Sequence, residues 1–287
     1  MGKPIIDDEL WTLIKPLLPP PKPRRKKNPG RLPVSDRAAL TGILFVLKTG
    51  LRWRDLPAEM GCGSGVTCWR RLRDWQAAGV WDRLHVLLLA KLRAADQIDF
   101  SRAAVDSSSI RAVGAGPKTG PNPTDRARPG SKHHIVTDAN GTPLAAILTG
   151  ANVHDVTQLL PLIDAIPPIR GLRGHPLQRP RVVYADRGYD SERHRRALRN
   201  RGIEPVIARR RTEHGSGLGK HRWVVERTHA WLHHFRRLRI RFERRADIHG
   251  AFLKLGCCLI CWNTLQRTEQ PLRNSLLRRD ATWASGS

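Results

Sequence analysis

The sequence predicts an α/β fold, a mixed sheet with helices on its faces, preceded by an all-helical segment. Three observations carry this. Up to about residue 98, apolar residues recur at helical spacing, as in Leu40, Ile43, Leu44 and Leu47, or Trp81, Leu84, Leu87, Leu88 and Leu92. From Phe100 onward, short apolar runs alternate with helical stretches, which is the pattern of a sheet with covering helices. At 287 residues the chain is long enough to bury two such units.

Asp7 and Asp8 cap a first short helix, with Leu10, Leu13, Ile14 and Leu17 on one face, and Pro19-Pro20-Pro21 ends it. Residues 19–33 hold too much proline and charge to be helical or to pack. They predict an extended basic arm, with Arg24, Arg25, Lys26 and Lys27 suited to a phosphate backbone, or else a solvated linker. Ser35 or Asp36 caps a helix closed by Gly50. Ser64 opens another, with Trp69, Leu72 and Trp75 inward and Arg70, Arg71 and Arg73 outward, and a third follows Gly79. Short helices with one arginine-rich outer face suit a helix-turn-helix-like DNA-binding unit over residues 1–98.

The second unit spans 99–270 and reads β-β-β-α-β-α-β-α. Its strands are Arg102 to Val105, His134 to Thr137, Leu144 to Thr149, Val182 to Ala185 and Pro205 to Ala208; a Gly/Pro-rich basic loop, Gly114 to Lys132, carries Lys118. Asp155 is expected to be the N-cap of the helix through Leu159, Leu160, Leu162 and Ile163. His221 to Arg245 contains no proline or glycine and reads as one long helix. Val224, Thr228, Trp231, Phe235 and Leu238 form its apolar stripe, and Glu226 shares a second face with Arg222, His229 and His233. Residues 271–287 are expected to form a flexible tail.

Fifty-one Lys and Arg against 25 Asp and Glu leave a net charge of +26, with arginine in excess. That balance predicts a polyanionic partner, double-stranded DNA before an anionic membrane, because the basic residues are spread over several elements. The N-terminus lacks a secretory core and Leu255 to Trp262 is too short to cross a bilayer, so a cytoplasmic, nucleoid-associated protein is expected. Five cysteines have no framework spacing; Cys258 and Cys261 sit in an apolar helical pattern and read as core. The G-S-G-L-G-K loop at 215–220 fails as a phosphate-binding P-loop, since it has no Ser or Thr after Lys220 and no strand leading into it.

Asp106 and Asp186 each follow a strand-like run, and ligand sites in α/β sheets form at carboxyl ends of strands. One such Asp is usually a turn former. Two of them, with Glu226 on a helix able to cross the same edge, would repel unless a divalent cation sat between them. Hard oxygen ligands suit magnesium or manganese, and acids gathered in a basic protein point to metal-assisted phosphoryl chemistry on nucleic acid.

The segments V-D-S-S-S-I-R-A, K-T-G-P-N-P-T-D-R, L-T-G-A-N-V-H-D, A-D-R-G-Y-D and V-V-E-R-T-H-A-W-L resemble, in order, the blocks of the DDE transposases of bacterial insertion sequences, in the IS five group of the IS four-like class. The helical start, with G-L-R-W-R-D-L-P, resembles that family's N-terminal part, so the resemblance covers nearly the whole chain. It implies a ribonuclease H-like core with Asp106, Asp186 and Glu226 as a metal-binding catalytic triad for Mg2+, with Mn2+ able to substitute. It further implies cleavage of element ends and strand transfer, with at least a dimer when two ends are paired. Of the family signature Y-x2-R-x3-E-x6-K, Arg222 and Glu226 match, while Gly219 and His233 stand where tyrosine and lysine are usual. Arg222 is then a phosphate ligand, and His233 a phosphate donor if protonated. An inactive DNA-binding regulator, or a nuclease that cuts without joining, are the other readings.

Overall fold

A computed structural model of the chain describes residues 4–283 apart from 22, 24, 25, 29, 31 and 212–216, with side chains described as far as Thr268. Arg24 and Arg25 of the arm and residues 284–287 of the tail therefore lie outside the described residues; Lys26 and Lys27 are exposed. The rest of the tail, to Trp283, continues the last helix.

The helical segment starts and stops where its caps demand. Asp7 accepts the Leu10 N–H at 2.7 Å and opens α1 (Asp8–Ile14). Ser35 opens α2 (Asp36–Thr49), and Gly50 closes it in the left-handed region at φ 74°. Ser64 opens α3 (Gly65–Ala77), and α4 (Val80–Ala94) follows Gly79. Trp75 and Trp81 meet edge to face, 6.0 Å apart, as core residues.

The sheet is built on β1 (Ala103–Ala112). After a loop bearing the two-residue β2 (Gly120–Pro121), β3 (Pro129–Asp138) runs antiparallel beside β1, and β4 (Pro143–Gly150) antiparallel beside β3. A 3-10 turn (Asp155–Gln158) and α5 (Leu159–Asp164) lead across to β5 (Val182–Ala185), parallel to β1. Helix α6 (Glu192–Arg199) and β6 (Glu204–Ile207), parallel to β5, complete the order β4-β3-β1-β5-β6. Three antiparallel strands followed by two parallel ones, with helices on the faces, is the ribonuclease H-like arrangement.

Two expected lengths need correction. First, β1 does not end at Val105 but continues to Ala112, because β3 pairs with it as far as Arg111. Asp106 is therefore a mid-strand residue. Second, the glycine-free stretch after His221 is not one helix. Helix α7 (Gly219–His234) stops at Phe235, whose ψ of 101° is extended; α8 (Arg236–Arg239) and the short β7 (Ile240–Arg241), parallel to the end of β1, follow. Phe235 and Leu238 thus fold back onto the core on a second turn of chain instead of extending the stripe.

Helix α9 (Ala246–Trp283) ties the two parts together. Its 246–268 portion is, by length and composition, long and apolar enough to cross a membrane, but 78% of the apolar 18-residue window within it is buried inside the fold. Phe252 stacks on Trp53 at 5.8 Å, the Cys258 thiol points to the Trp81 carbonyl, and Trp262 Nε1 donates to Asp7 at 3.0 Å. All five cysteines are free and buried, as core packing requires. The buried apolar residues from Ile6 to Leu265 form one continuous cluster, so the helical segment is fused to one side of the sheet.

Candidate active site

Strand register brings the two aspartates level. Ala103 pairs with Val183 and Ala104 with Tyr184, a constant offset of eighty, which sets Asp106 beside Asp186 where β5 leaves the sheet. Beyond that point the flank of β1 is open until β7, and α7 crosses it. The helix is seated by the Thr228 hydroxyl, which donates to the Gly141 carbonyl at 2.6 Å in the β3–β4 turn, and by His221, whose ring lies 4.8 Å from that of Tyr184 on β5. Val224, Val225 and Leu232 face the core, so Arg222 and Glu226, one turn apart, face the gap over Asp106.

Burial drives the Asp106 carboxyl up to about 6; the Ser107 N–H and Arg222 oppose the rise, and Asp186 and Glu226 add to it. Asp186 and Glu226 thus both lie within electrostatic reach of Asp106. Asp186 is half-buried and accepts the Gly188 N–H at 2.8 Å, which holds the turn after β5; Glu226 is exposed. The acids have a cationic neighbour: Arg222 Nη2 lies 3.6 Å from Asp106 Oδ1, with its Nε buried and unpartnered. Among the described residues no three acids, histidines or cysteines stand close enough for a complete cation cage. The donor set itself, carboxylates alone around a raised Asp106, has the hard-oxygen chemistry that a divalent cation requires.

Asp155 is not the N-cap that the sequence suggests. Its side chain caps no N–H of the following turn. It instead receives Lys132 Nζ at 2.9 Å, with His134 Nδ1 at 3.9 Å, and Lys132 also donates to the Val153 carbonyl. The carboxylate lies against the Asp186 turn, and with Asp106 and Asp186 it surrounds the buried Tyr189 hydroxyl, whose pKa burial pushes well up. Lys132 and Tyr189 escaped the sequence reading. The only signal for Tyr189 was its place three residues after Asp186; Lys132 gave none before its strand register was known.

His229 and His233 lie further along α7. Burial takes His229 down to about 4, and its ring faces the Asp106 backbone. His233 is likewise pushed down by burial, and its ring lies 6.4 Å from those of His133 and His229. The other basic candidates are dispersed. Arg70 is exposed, Arg71 pairs with Asp36 at 3.3 Å, and Arg73 pairs with Asp74 at 2.7 Å while lying 5.5 Å from the Trp69 ring. Lys118 is exposed on a loop clamped from below by Arg241, which donates to the Lys118 and Pro117 carbonyls.

Residues 99–263 match the family model described as "Transposase DDE domain", and residues 6–85 match one described as "Putative transposase of IS4/5 family". The "Putative transposase for insertion sequence element IS402" of Burkholderia cepacia is 95% identical over 156 residues, 54% of this chain and 74% of that protein. The "Insertion element IS402 uncharacterized 16.2 kDa protein" of the same organism is 93% identical over 123 residues, 43% of this chain and 84% of that protein. The "Transposase for insertion sequence element IS1106" of Neisseria meningitidis serogroup B is 32% identical over 114 residues, 36% of either chain. A chain of the Mos1 strand transfer complex aligns over 86% of this chain and 79% of its own at 11% identity, with a TM-score of 0.31, too loose to bear on fold or function. With more than half its length on the DDE domain model and its helical start on the IS4/5 model, the chain belongs to the DDE transposase family, in the IS4/5 group.

Proposed function

We propose that the chain binds the ends of an insertion element and catalyses DNA cleavage and strand transfer, with Asp106, Asp186 and Glu226 as catalytic metal ligands. The observation that carries the assignment is the strand register that sets Asp186 beside the buried Asp106, with α7 and Glu226 crossing the open flank of β1. The family implies a divalent cation, and we take it to be Mg2+, with Mn2+ able to substitute. When bound, it supplies Lewis acidity to the attacking hydroxyl and to the leaving oxygen of the phosphodiester.

This chain's own residues do the rest. The three carboxylates hold their places through strand register and the α7 seat. Arg222 has a planar guanidinium facing the same gap, beside Asp106, and would orient the scissile phosphate by two oxygens. Lys132 pairs with Asp155 and holds its carboxylate beside the Asp186 turn. Residues 1–98 read the element ends, with Arg70, Arg71, Arg73 and the arm residues Arg24, Arg25, Lys26 and Lys27 as phosphate contacts; Lys118 serves the catalytic unit at 99–270. Double-stranded DNA is the partner, bound by a homodimer or larger assembly that pairs two ends, in the cytoplasm at the nucleoid.

Asp106→Ala, Asp186→Ala and Glu226→Ala should each abolish cleavage of an end-bearing duplex while binding persists, with Mg2+ and Mn2+ supporting cleavage and Ca2+ supporting binding only. Full cleavage by any one variant removes that residue from the triad, and turnover in Ca2+ would remove the metal role.

A further inference from the structure

The face of α7 next to the one that carries Arg222 and Glu226 has no part in the chemistry above. Trp223, Arg227 and Trp231 follow one another at i, i+4 and i+8, and the Arg227 guanidinium lies 4.5 Å from both indole rings, one on each side. This three-layer stack fixes the Trp223 ring, yet leaves that residue 48% exposed. At the far end of the stack is a crevice of about 340 Å³ between α7 and α9, lined by Trp231, His234, Phe235, Asn263, Thr264 and Arg267.

The charge on this face is positive, and the Arg227 guanidinium donates to the Asn140 carbonyl. Among the described residues no acid forms an ion pair with Arg227 or Arg267. Asp138 and Arg267 are the charged groups acting on Arg227, and Asp138 is buried with its carboxylate accepting the N–H groups of Asp99, Asn140 and Thr142. A guanidinium against the exposed Trp223 ring, with a second guanidinium in the crevice at the far end of the stack, calls for a ligand that is both anionic and flat. Bases inside a duplex cannot offer their faces to such a ring, whereas those of an unpaired strand can. Placement selects the same ligand. Trp223 directly follows Arg222 and precedes Glu226 by one turn, and from there the stack runs eight residues, about 12 Å, along the helix.

We propose that the Trp223–Arg227–Trp231 face of α7, with the crevice at its end, is a binding track for about three nucleotides of single-stranded DNA leaving the candidate catalytic site. The indoles take base faces, and Arg227 and Arg267 take backbone phosphates. This rests on the proposed function for the origin of the strand, but binding can be read without any cleavage.

The test uses the full-length protein in Ca2+ and two probes of one sequence, a blunt duplex and the same duplex with a three-nucleotide single-stranded extension containing 2-aminopurine. The wild type should bind the extended probe roughly 10-fold or more tighter, with quenched 2-aminopurine emission, since each of the two stacked bases contributes about 5-fold or more. Trp223→Ala should erase the difference and leave blunt-duplex affinity as it was. Trp223→Phe, which keeps a flat ring, should retain most of the difference. Equal wild-type affinity for the two probes overturns the track without reference to any variant. So does a Trp223→Ala variant that weakens both probes alike, or one that changes the oligomeric mass while keeping the extension preference, which would make the face a protein interface. Asp186→Ala should keep the preference, so loss of the catalytic assignment and loss of the track are separate results.

Discussion

At the scale of single residues, Asp106 sets function against stability. Its carboxyl is raised from 3.8 to about 6, chiefly by burial, so folding favours the protonated form. The stabilising contribution of that form is complete below pH 3.8 and is lost as pH rises through about 6. At pH 7 the ionised group therefore opposes folding of the metal-free protein. Asp106→Asn should stabilise the chain in chelator at pH 7 by roughly 1–3 kcal/mol, the upper end being the full shift and the lower a discount for partial exposure. The gain should vanish at pH 4, and urea denaturation at the two values checks it. Asp138 titrates in the same range, so the comparison must be between variants at each pH and not along the wild-type curve alone. Residues of this kind were legible in sequence because an acid after an apolar run is visible as such. Arg222 beside Asp106, and Lys132 on Asp155, depend on where α7 crosses β1 and on the β3 register, which no local pattern encodes.

Elements were legible in kind and less so in length. Caps such as Ser35, Ser64 and Gly50 act within one turn, and they stand where the sequence implied. Strand β1 was cut short because Ser107, Ser108 and Ser109 have no apolar alternation, and only the long β3 partner makes them a strand. The α7–α8 break is likewise a tertiary effect, since nothing from Leu232 to Arg239 disfavours a helix. What holds the chain after the break is Arg241. Fully buried, it donates to the carbonyls of Pro117, Lys118, Glu243 and Arg244 and to the hydroxyls of Thr119 and Ser131, fastening β7 to the loop that bears Lys118. Arg241→Met would leave those acceptors buried without a donor. It should cost on the order of 3 kcal/mol and open the Lys118 peptide bond to trypsin. Wild-type protease resistance in the variant would mean that the loop is held by other contacts.

At the scale of the whole molecule, charge and core give different lessons. A net charge of +26 calls for a polyanionic partner, and its distribution makes a salt-dependence prediction. Replacing Arg24, Arg25, Lys26 and Lys27 by Gln should lower the slope of log affinity against log salt by up to about 4, near 0.9 for each phosphate no longer neutralised; an unchanged slope makes the arm a linker. The division of the core was not legible, because a helical pattern followed by a mixed pattern looks the same whether two parts fold apart or together. Here α9 packs against both. Trp53 on Phe252, Trp81 on Cys258 and Asp7 on Trp262 join residues of the helical segment to the last helix, and Arg237 donates from beyond α7 to the Gly50 and Leu51 carbonyls at the end of α2. A contact surface of that kind, apolar and continuous with both cores, couples unfolding of the two parts. The full chain should therefore lose structure in one cooperative calorimetric transition, with Phe252→Ala lowering it as a whole by the several kcal/mol expected of a buried aromatic. A fragment of residues 1–98 should fail to give a cooperative melt of its own, since α3 and α4 would expose the surfaces that α9 covers. Two separable transitions, or a fragment that melts cooperatively, would show that the helical segment is an autonomous unit and that α9 merely docks onto it.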